Sequence, residues 1–382
     1  MNKIFVIFIW VNFIFNALVS YHLEKKEISS HLLNGFYNRP DIVNFFNEQK
    51  THLHKEIVVI DPLVLQAAAK TALGYFKSKN KNNIKLVKPR FFEQKLNSND
   101  VRKTLEYIVT LIEQDKKRGT NFRILNPKFL EKNFKFIKWS EDNLSAYKNK
   151  VKIPEDLNYG KIPKGQIRLT NYAVFVVEGS NCKTSKCNCP IYSIINKDFE
   201  NKDRFKFTKQ NILAGVLEKP EYCNKVKPLV WISRNDLESA LMQGGIYVKM
   251  PNGKKRYFNV YMNNGFVYDK KIKDIKKQKR YWYFKEIKNL KDSGSYLNFG
   301  GVLFAGDIFN LGLGKIIAIK YKNRKNQKDE IRLGVLLDSG SALTNNLYQL
   351  DLFAGVFDNK KKFKDWLWGI PNTVEAYILV KK

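Results

Sequence analysis

The stretch IRLGVLLDSGSALTNNLYQLDLFAG, residues 331–355, decides how this chain is read. Its apolar run, Ile331, Leu333, Val335, Leu336 and Leu337, predicts a strand buried on both faces. The run stops at Asp338-Ser339-Gly340, a turn cluster. Asp351 follows, set between Leu350 and Leu352-Phe353. Upstream, Asp307 closes Ala305-Gly306-Asp307, and Leu313-Gly314 precedes a predicted strand over 315–320. Three aspartates at strand ends in apolar company stand out in a chain with 68 Lys and Arg against 36 Asp and Glu. A carboxylate withdrawn from water is costly unless it is hydrogen-bonded or used to move a proton.

The chain has 382 residues, 44% hydrophobic and 14% aromatic, enough for one large core or two medium ones and too apolar for a disordered chain. Its net charge of +32 calls for an anionic partner such as a cell wall, an acidic membrane surface or nucleic acid. A lysine-rich solvated surface is the bland alternative. Met1-Asn2-Lys3 followed by the apolar residues 4–19 and Ser20 predicts a secretory signal peptide over residues 1–20. The run is short for a spanning helix and is interrupted by Asn12 and Asn16. No cysteine lies near residue 20 to accept a lipid. The expected location is therefore the periplasm or cell envelope, with association with the outer membrane left open. Cys182, Cys187, Cys189 and Cys223 predict one or two disulfides in an exported chain, with a four-thiolate zinc site as the alternative. All four histidines fall within the first 54 residues, away from the aspartates in sequence, which weakens a Ser-His-Asp or Cys-His reading. There is no Walker A loop and no dinucleotide fingerprint, and no cofactor is expected; apart from the zinc alternative at the cysteines, no metal ligand is assigned.

Residues 21–144 read as mainly helical. One helix is predicted from Leu63 to Phe76. A second is capped by Ser98 or Asn99 and stops at Lys116-Lys117-Arg118-Gly119. From about residue 165 the period changes to that of strands, beginning with Gln166–Val177. Pro251-Asn252-Gly253 and Asn264-Gly265 read as hairpin turns. Gln243-Gly244 reads as a candidate sugar contact, since an amide beside flexible glycines can approach and bond hydroxyls.

Taken in order, these motifs resemble the membrane-bound lytic murein transglycosylase A (MltA) family and its C-terminal three-aspartate (3D) domain. The resemblance is carried by Leu169-Thr170-Asn171-Tyr172, Pro190-Ile191-Tyr192, Leu229-Val230-Trp231, Gln243-Gly244-Gly245, Pro251-Asn252-Gly253, Asn264-Gly265 with Tyr268, and Tyr281-Trp282-Tyr283-Phe284 with Glu286. It continues through Ala305 with Asp307, Leu313-Gly314, Asp338 with Gly340 and Ala342, and Asp351-Leu352-Phe353 with Gly355. Asn171 replaces the family's glycine, and Asn is the non-glycine residue most tolerant of positive φ. The Arg-Ser that precedes Ala-x-Asp in the family is missing, and Leu343-Thr344-Asn345-Asn346 stands where the family has Lys-Gly.

The resemblance implies a mainly β fold with N-terminal helices: a double-psi β-barrel from residues 145–178 and 285–382, with a second β-rich domain, 179–284, inserted. It implies a monomeric enzyme acting on peptidoglycan glycan strands, with no nucleic-acid partner and with membrane association left open. The expected product is a 1,6-anhydromuramyl end formed without water. Asp351 matches the family's catalytic acid and base, Asp338 and Asp307 are supports, and Thr170, Tyr172, Gln243 and Gly244 are candidate substrate contacts. A single carboxyl suffices because the C6 hydroxyl of the sugar attacks its own anomeric carbon, so effective concentration replaces a positioned water. A wall-binding protein without activity is the alternative.

Overall fold

The computed structural model describes residues 39–53, 55–78, 86–89, 91–148, 161–269, 271–287, 296–340, 343 and 345–382. The predicted signal peptide and Ala342 lie outside these. The strands, in chain order, are β1 (Phe46–Gln49), β2 (Ile57–Val58), β3 (Phe134–Trp139), β4 (Ile167–Ser180), β5 (Cys189–Ile194), β6 (Val226–Ile232) and β7 (Gly245–Lys249). They continue with β8 (Lys255–Asn263), β9 (Trp282–Ile287), β10 (Leu303–Ala305), β11 (Ile316–Lys322), β12 (Asp329–Asp338), β13 (Gln349–Phe357) and β14 (Thr373–Lys381). The longer helices are α1 (Pro62–Lys77), α2 (Ser98–Arg118) and α3 (Arg234–Gln243). The chain divides into two compact units, one within residues 39–172, 294–355 and 364–382, the other of 173–293 and 356–363.

In the first unit, residues 167–172 of β4 join a closed cycle of pairings, β4–β14–β11–β12–β10–β13–β4, a ring of six strands. β12 carries the apolar run along its length. Ile331, Leu333, Val335, Leu336 and Leu337 are all inaccessible to solvent, as the apolar run requires. β10 runs parallel to β12 and antiparallel to β13. Gly334 allows the close approach of β10 to β12: a Cβ there would stand 2.4 Å from the Val302 carbonyl oxygen. Outside the ring, β3 pairs with β14 and β1 pairs with β3.

α1 packs on α2 and on β12. Its N-terminus is capped by Asp61, which accepts the amides of Leu63 and Val64. The α2 cap is Asn97, whose Oδ1 accepts the Asp100 amide at 2.9 Å, one residue earlier than the sequence reading placed it. Asp100 in the first turn adds a carboxylate to the positive end of the helix dipole. Gly119 ends α2 at φ 64°, where a side chain would be strained.

The second unit pairs residues 175–178 of β4 with β7, then β8 and β9, and sets β5 against β6. Pro251-Asn252-Gly253 is the β7–β8 hairpin turn, with the Gly253 amide donating to the Met250 carbonyl at 2.8 Å. Asn264-Gly265 is not a tight hairpin, because β9 begins only at Trp282. Asn264 instead clamps the long connection, donating to the Phe207 and Lys279 carbonyls and accepting the Tyr281 amide. Tyr281, Trp282, Tyr283 and Phe284 are core residues and offer no exposed face for stacking.

All four thiols are free, which corrects the expectation of disulfides. Each points at a nearby oxygen: Cys182 at the Ser180 hydroxyl, Cys187 at the Glu178 carbonyl, Cys189 at Asn188 and Cys223 at the Lys219 carbonyl. Among the described residues no cluster of acids, histidines and cysteines is placed to hold a metal ion. Among them, too, no helix is long and apolar enough to cross a membrane.

Candidate active site

The register of the ring brings two of the three aspartates together. Ala305 on β10 is the partner of Asp338 on β12 and of Asp351 on β13. Register partners project to one face of a sheet, and neighbouring strands lie about 4.8 Å apart, so the two acids flank the Ala305 methyl with their Cα atoms about 10 Å apart. Side chains alternate along a strand, so Gln349 and Phe353 share the Asp351 face. Leu350 and Leu352 face the core and are fully buried. On β4 the same alternation aligns Arg168, Thr170 and Tyr172.

These residues interlock. The Tyr172 hydroxyl donates to Asp338 Oδ2 at 2.5 Å, and its ring packs on Phe353 with centroids 5.1 Å apart. The Ser339 amide donates to Asp338 Oδ1 at 2.7 Å. Gln349 Nε2 donates to the Thr170 hydroxyl at 2.8 Å. Asp351 Oδ1 is buried with no hydrogen-bond partner among the described residues. Burial pushes the Asp351 carboxyl up to about 7; the Thr170 hydroxyl and Arg168 oppose the rise and the charge of Asp338 adds to it. Asp338 is pushed up to about 6 by burial, against the hydrogen bonds from Tyr172 and the Ser339 amide. The pair thus holds one carboxyl that keeps its proton near neutrality beside one committed to hydrogen bonds.

Asp307 does a different job. It is fully buried and caps the helical turn Ile308–Leu311, accepting the Asn310 amide on Oδ1 and the Asn310 side chain on Oδ2 at 2.7 Å. Asn310 passes the restraint on to Asn345 Oδ1 at 2.9 Å, in the segment that joins β12 to β13. Burial pushes Asp307 up to about 6.

Gln243 and Gly244 belong to the second unit. Gln243 Oε1 accepts the Ala173 amide at 2.9 Å, and Gly244 ends α3 at φ 84°. Gln349 and Arg168 were not singled out from sequence. Gln349 could have been found by counting two residues back from Asp351 along one strand face. Arg168 stands two before Thr170 in the same way.

No family model and no curated protein matches the chain. Solved structures do, and they are membrane-bound lytic murein transglycosylases, whose fold this chain shares. That of Agrobacterium tumefaciens is 18% identical with a TM-score of 0.55, over 84% of this chain and 93% of that one. The Escherichia coli MltA structure with bound chitohexaose is 14% identical with a TM-score of 0.56, over 88% of this chain and 94% of that one.

Proposed function

We propose that this protein is an exported lytic transglycosylase that cleaves the β-1,4 bond between N-acetylmuramic acid and N-acetylglucosamine in peptidoglycan. The observation that carries the reading is Asp351, a carboxyl buried by its surroundings and pushed up to about 7, with an oxygen that has no partner among the described residues. Such a group can protonate the glycosidic oxygen as the bond to the anomeric carbon breaks. The resulting carboxylate then takes the proton of the C6 hydroxyl as that oxygen bonds to the anomeric carbon. The products are a 1,6-anhydromuramyl end and a free 4-hydroxyl, with no water consumed and the acid regenerated. Asp338 raises the affinity of Asp351 for its proton, Thr170 and Tyr172 align the two strands beside it, and Gln243 and Gly244 contribute to glycan binding.

The six-strand ring is read as the double-psi β-barrel of this fold, built from residues 145–178 and 285–382 and interrupted by the inserted β-rich domain, 179–284. Residues 21–144 form a mainly helical region in this reading, and residues 1–20 direct export to the periplasm or cell envelope. The net charge of +32 suits an anionic wall.

The test is digestion of purified sacculi by residues 21–382, with mass spectrometry of the released muropeptides. Anhydro products one water lighter than hydrolysed ones, absent with Asp351→Asn, are expected. Reducing ends would make the protein a hydrolase. Retention on sacculi without release would leave it a wall-binding protein.

A further inference from the structure

Arg168 is a cation on the strand face beside the acids, and no sequence motif assigns it a role. Its backbone amide donates to the Tyr348 carbonyl at 2.8 Å, which sets it next to Gln349 on β13. The same register sets Thr170 next to Asp351 and Tyr172 next to Phe353. The Thr170 hydroxyl donates to the Leu350 carbonyl at 3.3 Å and accepts Gln349 Nε2 at 2.8 Å, and the Tyr172 and Phe353 rings stand 5.1 Å apart. Arg168 is thus one step along the face from Thr170 and Asp351, about 7 Å in strand rise and one strand spacing across, within the span of an arginine side chain. Ile167 and Leu169 turn into the core, whereas Arg168, Thr170 and Tyr172 all keep accessible surface. Elsewhere Arg39, Arg123 and Arg256 each hold a carboxylate. The Arg168 guanidinium makes no hydrogen bond and no ion pair among the described residues. Nearby acids are committed: Glu375, two residues along β14 from Thr373, the register partner of Arg168, holds Lys138 and the Tyr377 hydroxyl, and Asp338 holds Tyr172 and the Ser339 amide. A half-exposed planar fork of unused donors is suited to a carboxylate. The N-acetylated sugar rings of the glycan are neutral. The acid of the wall polymer hangs from the lactyl arm of muramic acid, as its own carboxylate or as those of an attached peptide.

We propose that Arg168 is a specificity-determining residue that takes a carboxylate carried by the lactyl arm of muramic acid, so that the site prefers muramyl glycan to chitin-like chains. The inference rests on the glycan reading of this site and deepens it, naming the substituent that tells the wall polymer from its neutral homologue.

The test is calorimetric binding to the full chain carrying Asp351→Asn, the parent, which binds without turnover, at physiological ionic strength so that distant charges are screened. The ligands are chitohexaose, which has no lactyl arm, a hexamer of alternating N-acetylglucosamine and N-acetylmuramic acid with free lactyl carboxylates, and the same hexamer bearing stem peptides. The parent is expected to prefer a muramyl hexamer to chitohexaose, and Arg168→Gln to lower that affinity ratio about tenfold, the worth of a charge-assisted hydrogen bond. Arg168→Lys, which keeps the charge without the fork, is expected to retain part of the preference. Preference for the bare hexamer assigns the lactyl carboxylate, and preference for the peptide-bearing one alone assigns the peptide. A ratio that Arg168→Gln leaves as it was overturns the proposal, and so does a parent without preference. Should Arg168→Gln not fold, methyl esters of the ligand carboxyls decide on the parent itself: binding about tenfold weaker supports the proposal, and binding equal to that of the free acids overturns it. A counter-ion serving Asp351 alone would instead move the alkaline limb of activity upward in Arg168→Gln and leave the ratio unchanged, which again overturns it. The expected ratio without release from sacculi by the wild type would end the transglycosylase reading and leave this one standing. Anhydro products with an unchanged ratio would do the reverse.

Discussion

Asp351 and Asp338 differ in what surrounds their oxygens, and that difference separates the roles proposed for them. Among the described residues, Asp338 receives hydrogen bonds from Tyr172 and the Ser339 amide, whereas one oxygen of Asp351 receives none. In the proposed mechanism Asp351 begins protonated, and its carboxyl is held up to about 7, so kcat/KM is expected to fall on an alkaline limb with a midpoint near pH 7. Tyr172→Phe removes a donor that favours the charged form of Asp338. Asp338 then holds its proton more tightly and repels the Asp351 charge less, so the alkaline limb should shift to lower pH; a shift upward would contradict the coupling. Lys315 is another buried ionisable group, with an amine that has no hydrogen-bond partner among the described residues and is pushed down to about 7 by burial. Its folded form binds the proton less tightly than the unfolded chain does, so its contribution to stability is lost as pH falls from about 10 towards 7. Lys315→Met should flatten that part of a melting curve series. Nothing in the sequence marks this lysine among so many, because burial is a property of the Leu-Gly turn beside it and of the ring it faces.

At the scale of elements, the ring depends on how closely β10 fits between β12 and β13. Gly334→Ala would press a methyl into the Val302 carbonyl and the Phe304 ring, with a cost of about 1–3 kcal/mol in chemical unfolding. Asp307→Ala strips the cap from the turn Ile308–Leu311 and releases Asn310, at about 1–2 kcal/mol. Asp307→Asn keeps an acceptor for the cap, and under the supporting role proposed for Asp307 it should retain activity where Asp351→Asn does not. Elements of this kind were legible where one local rule dominated. The apolar run at 331–337 gave β12, the capped periodic stretches gave α1 and α2, and Pro251-Asn252-Gly253 gave a hairpin. Asn264-Gly265 misled because the same dipeptide that favours a tight turn also serves as a buried clamp, and what decides is the distance to the next strand.

Across the whole molecule, the three aspartates bind their protons more tightly folded than unfolded. Their contribution to stability is complete below about pH 4 and is lost as pH rises through 6 to 7. Melting temperature is therefore expected to fall between pH 5 and pH 8, and Asp351→Asn to reduce that fall; an unchanged slope would show that Asp351 is ionised throughout. The acids themselves could be picked out from sequence because each stands alone in apolar company. The meeting of Asp338 and Asp351 across Ala305 could not, since it depends on the register of strands nearly fifty residues apart, which no local pattern encodes.

The position of β14 in the ring sets a timetable for folding. Residues 373–381 supply the partner for β3, β4 and β11, strands whose synthesis is complete long before. A ribosome releasing this chain from its N-terminus thus leaves those edges unsatisfied until β14 emerges, and closure must span about two hundred residues of chain between β4 and β14. That is a slow, aggregation-prone route for a protein folding where it is made. For a chain threaded through a membrane first, the same delay keeps it extended until it has crossed.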